Sequence, residues 1–439
     1  MRIETPAISE RRIGMRKNLR LFIAFRVLFN ARFYYPVLGV LFLDLGLSLE
    51  QYSLLNVVWA VTILALEVPS GALADLVGRR SLVVSAACLM VLEMAVFAFA
   101  PLGGWLFPML LLNRVLSGMA EACASGADEA LAYDSLPLED REAQWRDVLA
   151  RLVKWSSGTF FVAMILGALA FDRHVATSLL GVLGWSGAEP VTTRWPVYMT
   201  LVMSLGALGC ALAMREPPRS QEPQSQDSWR AAFDNIMAAA KLVISNPKIR
   251  LLLLCAVLFD SLVRVFLTFA SNYYRLVGLP EFLNGFMGSS YALLGFLAAG
   301  LARKIAARHG AGFAFALVGG LVFLGLLGLV PATRYWGVWV ILPFGIGMPM
   351  MQYFLSNYLN AWTDSSLRAT VLSFRGVAVN LGYAMAGLGF AGFTASLRGR
   401  FPELSSTDLF AKSLVSLPAA FLLGGLVLLP FLKTARRPS

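Results

Sequence analysis

Charged residues are scarce in this chain. Only 14% of its 439 residues are Asp, Glu, Lys or Arg, whereas 58% are hydrophobic. Soluble domains are about one quarter charged and about half apolar, so this composition excludes an ordinary water-soluble protein. The mean hydropathy of +0.68 points the same way. We therefore expect a lipid bilayer to cover most of the polypeptide.

Histidine and cysteine are also rare, which limits the chemistry that the chain can perform. The two histidines, His174 and His309, lie near the ends of apolar runs, which argues against a buried histidine proton relay. The cysteines have no metal-ligand spacing and are predicted to be reduced core residues: Cys88, Cys123, Cys210 and Cys255. The sequence has no phosphate-binding Gly-Lys loop and no Ser/His/Asp constellation. We predict a non-enzymatic protein with no catalytic residue, metal or cofactor.

Long apolar runs take the place of these groups. A membrane helix needs about 20 apolar residues to cross about 30 Å of hydrocarbon, and the chain holds about twelve such segments. We predict an all-α membrane protein in which the first segment is a retained helix, since it is longer than the apolar part of a signal peptide. The segments are Leu19–Leu45, Gln51–Ser70, Leu82–Ala100, Trp105–Ala130, Val148–Phe171, Trp195–Met214, Ile249–Val277, Phe282–Arg303, Gly312–Val330, Tyr335–Ala361, Leu367–Ser396 and Ala411–Leu432.

A polar stretch after the sixth segment divides the chain into two halves. Residues 216–248 are rich in Pro, Gln and Ser and cannot bury a core, so they are predicted to be a linker. Within it, Trp229, Phe233 and Met237 recur at helical spacing, which fits a short amphipathic helix on the membrane surface or a partly ordered tether. The predicted domains are an N-terminal segment 1–18, a six-helix bundle 19–215, the linker 216–248, a second bundle 249–432 and a tail 433–439.

The formal net charge of +11 is concentrated in alternate hydrophilic gaps. Lys and Arg in membrane proteins accumulate in cytoplasmic loops, so this pattern places both termini in the cytoplasm. We expect a multi-pass protein of the cytoplasmic (inner) membrane, with the lipid bilayer and not nucleic acid as the partner of its positive charge.

The gap after the second segment carries an ordered motif. It reads Gly71-Ala-Leu-Ala-Asp75-Leu-Val-Gly78-Arg79-Arg80, and it resembles the loop signature G-x-x-x-D-x-x-G-R-[RK] of the major facilitator superfamily. Gly78 suits a sharp turn, and the arginines suit the cytoplasmic side. Related spacing around Gly300 to Arg308 after the eighth segment is consistent with two homologous halves.

The resemblance implies a fold and a gate. It implies two pseudo-symmetric six-helix bundles that expose a central site to each side of the membrane in turn. It places Asp75 near Leu367–Val371 and pairs Asp134 with Arg79 in the same gate. A solvated carboxylate at a helix end is the alternative for Asp134. The family often has Arg after the motif Asp, where this chain has Leu76.

The fourth segment points to proton coupling. Arg114-Val-Leu-Ser-Gly118 resembles the R-x-x-Q-G motif of proton-driven members, with Ser117 in place of Gln. Glu121 follows Arg114 by nearly two helical turns, so it can be an exchangeable proton site or part of a fixed ion pair. Gly158 and Gly167 in the fifth segment resemble the antiporter signature but lack its Gly-Pro. The further proton-coupling candidates are Asp128, Glu129 and Asp260.

Other ionisable groups lie within apolar segments, where each costs about 2.5 to 3.5 kcal/mol unless it faces a partner or water. Asp260 and Arg264 are spaced i,i+4, which predicts a structural pair. The arginines would attract an anionic or zwitterionic solute. The residues that we expect to line a solute cavity are Arg32, Tyr35, Arg264, Tyr291, Gln352, Asn357, Arg375 and Asn380.

These features together predict a monomeric secondary active transporter that moves a small molecule by alternating access, coupled to protons. A non-transporting sensor on the same scaffold is the alternative from another class. Within transport, a multidrug exporter competes with an importer of a polar or anionic nutrient, and the sequence leaves the direction open.

Overall fold

The computed structural model describes residues 6–137, 140–182, 191–216, 234, 237, 240–363 and 368–435. Every regular element among these residues is a helix. The α-helices are α1 Pro6–Phe29, α2 Leu38–Asp44, α3 Leu49–Val77, α4 Arg79–Phe99, α5 Leu106–Ala124, α6 Ala127–Asp134, α7 Arg141–Phe171, α8 Arg173–Val182, α9 Trp195–Ala213, α10 Pro247–Thr268, α11 Ala270–Leu276, α12 Asn284–Arg308, α13 Ala311–Leu329, α14 Ile341–Trp362, α15 Arg368–Arg400, α16 Ser406–Ser413 and α17 Ser416–Ala435.

The helices have the length and apolarity of membrane spans. Within the described residues, 11 helical stretches are long and apolar enough to cross a membrane, and Tyr35–Asp44 is a shorter apolar helix. The prediction of an all-helical membrane protein is therefore confirmed. The predicted bounds of the two bundles and of the linker stay a prediction.

Four predicted segments are interrupted, not continuous. The first is split between α1 and α2, the fourth between α5 and α6, the seventh between α10 and α11, and the twelfth between α16 and α17. The fourth breaks at Gly126, whose φ of 78° is left-handed and unfavourable for residues with a Cβ. The breaks bear directly on the candidate site, because ionisable residues lie at two of them.

The contacts divide the chain into two units, the first formed by residues 1–35 and 62–232. In this unit α4 packs against α5 and α9, and α1 packs against α9. Phe22, Phe25 and Phe29 recur along one face of α1 and are fully buried in a core with Ala207 and Ala211 of α9.

The second unit comprises residues 36–61 and 233–439. Here α10 packs against α15 and α17, and α12 packs against α14. The rings of Phe266 and Phe344 lie 4.9 Å apart in its core. A Cβ at Gly325 would approach the Phe344 ring to 2.6 Å, so the absence of a side chain there lets α13 and α14 pack closely.

The prediction that the cysteines are core residues is wrong for Cys88, which is exposed because it lies on the outward face of α4, as Leu92 does. Cys123, Cys210 and Cys255 are partly buried, and all four cysteines are free thiols. Trp229 and Phe233 of the predicted amphipathic helix lie outside the described residues, whereas Met237 is helical and 54% exposed.

Candidate functional site

The break in the first predicted segment presents Arg32. After α1 ends, the backbone amide of Asn30 still donates to the carbonyl of Arg26 at 3.1 Å, and the Asn30 side chain donates to the same carbonyl at 2.9 Å. The next amide, that of Ala31, bonds to the carbonyl three residues back, so the regular helical ladder stops here. Pro36 reinforces the break, because a proline ring clashes with the carbonyl four residues earlier, here that of Arg32. Irregular backbone is tolerated in a membrane protein only where it is buried in protein or lines a cavity.

The neighbouring helices hold this irregular segment in place. The amide of Phe33 donates to Thr200 Oγ1 of α9 at 3.0 Å. A Cβ at Gly167 of α7 would collide with the carbonyl group of Phe33, so only glycine allows this approach. Gly167, read from the sequence as part of an antiporter-like motif, therefore has a local structural role beside the segment that carries Arg32.

The guanidinium of Arg32 lies between two carboxylates. Its Nη1 is 2.5 Å from Glu93 Oε1 of α4, and its Nη2 is 3.4 Å from Glu121 Oε1 of α5. The Tyr34 hydroxyl accepts from Nη1 at 3.1 Å. The side chains of Arg32 and Glu93 are 1% and 0% exposed, whereas that of Glu121 is 28% exposed. One arginine thus holds a buried carboxylate tightly and a more accessible one loosely.

Glu93 was missed by the sequence reasoning, although it is the closest partner of Arg32. It interrupts the apolar run Leu82–Ala100, and the cost of a charge inside such a run was the signal that could have identified it. The Asn113 amide of α5 donates to the Glu93 carbonyl at 2.8 Å. The charge of Arg114, which is only 5% exposed, also acts on Glu93. The pairing of Arg114 with Glu121 stays a prediction.

A second ion pair lies at the break between α5 and α6. Asp128 is fully buried in the first turn of α6, where a carboxylate is favoured by the helix dipole. Its Oδ1 accepts from the Glu129 amide at 2.7 Å and from Arg26 Nη2 at 3.2 Å. Glu129 is 3.6 Å from Arg26 and its side chain is 49% exposed. Asp128 is therefore fixed by two partners, whereas Glu129 is loosely held.

The loop motif connects three helices of the first unit. Gly78 has a φ of 96° and separates α3 from α4. Arg79 forms the ion pair with Asp134 that the resemblance implied, and donates to the Ala130 carbonyl at 3.0 Å. Arg80 donates to the carbonyls of Met214 and Leu212 at the end of α9. The role of these contacts in gating stays a prediction.

Glu216, which the sequence reasoning did not single out, completes this junction. Its two carboxylate oxygens accept from the backbone amides of Arg79 and Arg80 at 3.0 and 2.8 Å. A carboxylate at a helix N-terminus satisfies amides that have no partner within the helix. The surroundings of Gly71, the side chain of Asp75 and the whole of Leu367 lie outside what the structure describes, so the predicted contact of Asp75 with Leu367–Val371 stays a prediction.

The second unit has its own polar cluster. Asp260 and Arg264 form the i,i+4 ion pair at 2.5 Å, as their spacing predicts. Arg264 Nη1 donates to Asn380 Oδ1 at 2.9 Å, and its guanidinium lies 5.1 Å from the Tyr383 ring. The Tyr383 hydroxyl lies 2.8 Å from Thr268 Oγ1. Arg264 therefore connects α10 to α15.

The other cavity candidates are more dispersed. Arg375 donates to Gln352, and Tyr291 lies within electrostatic reach of Asp260. Tyr35 is 40% exposed and packs edge-on against Tyr34, with ring centroids 5.2 Å apart. Asn357 is exposed. Within each unit, the structure groups the predicted polar residues into pairs and small clusters.

Paired charges also lie at the helix ends of the second unit. Arg275 is 2.5 Å from Asp44 and its Nε donates to Glu281 at 2.8 Å. Burial lowers the pKa of the Arg275 guanidinium, but the hydrogen bonds and charges of Asp44 and Glu281 outweigh it and leave the pKa above its ordinary value. Arg398 Nε is 2.9 Å from Glu50 Oε1. These pairs fasten the ends of α2 and α3 to α11 and α15.

Comparison with known proteins identifies the architecture. A sequence model described as Major Facilitator Superfamily matches residues 21–387. A search of curated proteins finds no match to this chain. Among solved structures, the chain is similar to the nucleoside transporter NupG, with a TM-score of 0.71 at 10% identity, covering 95% of this chain and 99% of that one.

Two further structures share the fold. A bacterial homolog of the human lysosomal transporter Spinster, in an inward-facing and unoccupied conformation, aligns over 100% of both chains with a TM-score of 0.65 and 17% identity. A D-xylose-proton symporter aligns over 95% of this chain and 97% of its own, with a TM-score of 0.58 and 15% identity. At these identities the likeness concerns the fold alone.

Proposed function

The chain belongs to the Major Facilitator Superfamily of non-enzymatic secondary transporters, and from this premise we propose that it couples the movement of a polar or anionic solute to protons through Glu121. The alternation of access between the two sides of the membrane follows from the family. The assignment of the proton to Glu121 rests on the residues of this chain.

The arrangement of Arg32 between Glu93 and Glu121 supports this assignment. If Glu121 takes up a proton, Arg32 still has the charge of Glu93 at 2.5 Å and is not left without a counter-charge. If Glu93 took up the proton, Arg32 would keep only the more distant partner at 3.4 Å. Burying an unpaired charge costs several kcal/mol, so loss of the Glu121 charge leaves Arg32 better compensated than loss of the Glu93 charge.

Access to water favours the same residue. The Glu121 side chain is 28% exposed, whereas the Glu93 side chain is 0% exposed. Protons reach a carboxylate through water or through a neighbouring exchangeable group, so the exposed member of the pair is better suited to exchange. Glu93 then has the complementary role of holding Arg32 while Glu121 changes its charge.

The solute class follows from the same guanidinium. A carboxylate or phosphate of a solute could take the position of Glu121 beside Arg32, since the contact that it would replace is long and partly exposed. Arg264 and Arg375, each with an amide partner from another helix, are further candidates for contact with a polar solute. These charges favour a polar or anionic solute over an apolar drug; the direction of transport is left open.

The first experiment is a thermal-shift screen of the purified protein against metabolites, chelates and drugs, because a ligand that binds the native state stabilises it. Solutes that raise the melting temperature are then tested in proteoliposomes with a pH-sensitive dye. We expect Glu121→Gln to bind solute but to abolish solute-dependent pH changes.

Glu129→Gln is the matched control, because Glu129 is also a partly exposed carboxylate near an arginine, with a side chain 49% exposed. This variant should keep proton coupling. Unchanged coupling in Glu121→Gln would exclude the proposed proton site. Loss of coupling in both variants, with solute binding kept, would contradict the assignment to Glu121 alone, because Glu129 is itself a candidate from the sequence.

The orientation is part of the proposal. The excess of Lys and Arg in alternate gaps supports a cytoplasmic position for both termini and insertion in the inner membrane. Reporter fusions at each terminus test this orientation. A reporter that is active outside the cytoplasm would show that the terminus carrying it is not cytoplasmic. A monomer is proposed as the transporting species, to be tested by the mass of the detergent-solubilised protein.

A further inference from the structure

The second unit contains a large groove that the transport proposal does not use. It lies among α10, α13 and α17 near the end of α14, and its volume is about 710 Å³. Ligand pockets in proteins measure about 300 to 1,000 Å³. Phe259, Phe315, Trp362, Phe421 and Leu428 contribute its apolar walls. A space of this size and polarity can hold a flexible hydrocarbon chain.

Small residues create the groove. Gly312 of α13 and Gly425 of α17 both line it, and a Cβ at either position would meet no atom within 4 Å. At its inner part, Phe421 stacks on Phe259 with ring centroids 5.5 Å apart. From Lys248 to Phe259 the axis of α10 rises roughly 16 Å, at about 1.5 Å per residue. The groove is thus long as well as wide.

One end of the groove is positively charged. Lys248 is exposed and is the charged residue of the described lining. Its backbone amide is already bound to the Asn246 side chain at 3.0 Å, so its ammonium group is the part available to a ligand. Ala311 and Gly312 line the same groove in the first turn of α13, and only Gly310 separates them from Arg308 and His309. An anion is favoured at such a helix start.

We propose that this groove binds an anionic phospholipid, with one acyl chain along the apolar walls and the phosphate beside Lys248 and the first turn of α13. The helices that form the groove are membrane spans, so lipid is the apolar molecule that surrounds them. The charge at the mouth selects an anionic head group over a zwitterionic one. Such a lipid would fill the space between α10, α13 and α17 and stabilise their packing.

Native mass spectrometry of the purified full-length chain tests the proposal. The chain is mixed with equal amounts of phosphatidylglycerol and phosphatidylcholine of the same acyl length. We expect phosphatidylglycerol to be retained preferentially. Lys248→Gln should weaken its binding about fivefold, the factor expected for one lysine near an anionic head group. Equal retention of both lipids by the unchanged protein would overturn the proposal.

Groove-filling variants locate the lipid. Gly312→Leu and Gly425→Leu extend side chains into the open space from two helices and should abolish specific retention. Gly320→Leu is the matched control, because Gly320 is on the same helix as Gly312, has no atom within 4 Å of a Cβ, and does not line the groove. Retention that survives both groove variants would show that the lipid binds elsewhere.

Two other occupants are distinguished by the same samples. If the groove variants lose the binding of a solute from the thermal-shift screen but keep phosphatidylglycerol, the groove belongs to the solute and the lipid proposal is wrong. If a segment of the linker fills the groove, no specific lipid adduct forms in the unchanged protein. Thermal unfolding of each variant shows whether it is folded. If a glycine variant does not fold, Lys248→Gln still tests the proposal, because a substitution at this exposed position leaves the fold intact.

Discussion

Removal of the charge of Glu93 should destabilise the protein far more than removal of the charge of Glu121. Glu93→Gln keeps the shape of the side chain but leaves Arg32, 1% exposed, without its nearest counter-charge. Removing one partner of a buried ion pair costs about 3 to 5 kcal/mol. In Glu121→Gln the lost contact is 3.4 Å long and partly exposed, and we expect a cost of about 0 to 1 kcal/mol.

The assay is thermal unfolding of the purified variants in the same detergent. For a cooperative unit of about 150 to 250 residues, 1 kcal/mol shifts the melting temperature by about 2 to 4 °C. Glu93→Gln should therefore lower the melting temperature by roughly 10 °C, and Glu121→Gln by about 4 °C or less. The double variant Arg32→Gln, Glu93→Gln should recover part of the loss, because it removes both charges of the pair.

Equal melting temperatures for the two single variants would refute this reasoning. They would mean that Arg32 does not depend on Glu93 and that the asymmetry between its two carboxylates has no energetic consequence. The proton-coupling proposal would then lose its main support, since it requires Glu93 to hold Arg32 while Glu121 is neutral.

Two further predictions concern backbone packing and charge pairs at helix ends. Gly167→Val should displace the Phe33 carbonyl, destabilise the protein by about 1 to 3 kcal/mol and weaken solute binding. The control Gly158→Val, where a Cβ meets nothing within 4 Å, should change neither stability nor solute binding in the same thermal-shift assay; equal effects of the two variants would show that Gly167 has no special role beside Arg32. A double-mutant cycle on Glu50 and Arg398 should give a coupling of about 1 kcal/mol or less, because both side chains are partly exposed; a coupling of several kcal/mol would contradict this.

The helical membrane fold was predictable because its signal is local. Apolar runs of sufficient length lead to spans whatever their tertiary partners are. The Asp260–Arg264 pair was predictable for the same reason, since i,i+4 spacing on one helix brings the two side chains together without any other element.

The partners of Arg32 were not predictable in this way. Glu93 and Glu121 lie on two other helices, and their meeting depends on how those helices pack and on where the first segment unwinds. Asn30 and Pro36 were visible signals of that break, but apolar character alone predicted one continuous helix from Leu19 to Leu45. The groove depended on small residues from separate helices, whose sequence positions carry no sign of a common space.

The unwound stretch after α1 has a mechanical consequence. The chain passes from the first contact unit to the second after Tyr35, only a few residues beyond Arg32. Irregular residues can change their torsion angles without breaking a helical hydrogen-bond ladder, so small local adjustments are less costly here than within α1 or α2. A guanidinium carried by this stretch can be reoriented by a few backbone torsions, so Arg32 can change its carboxylate partner without unwinding the helix of either Glu93 or Glu121.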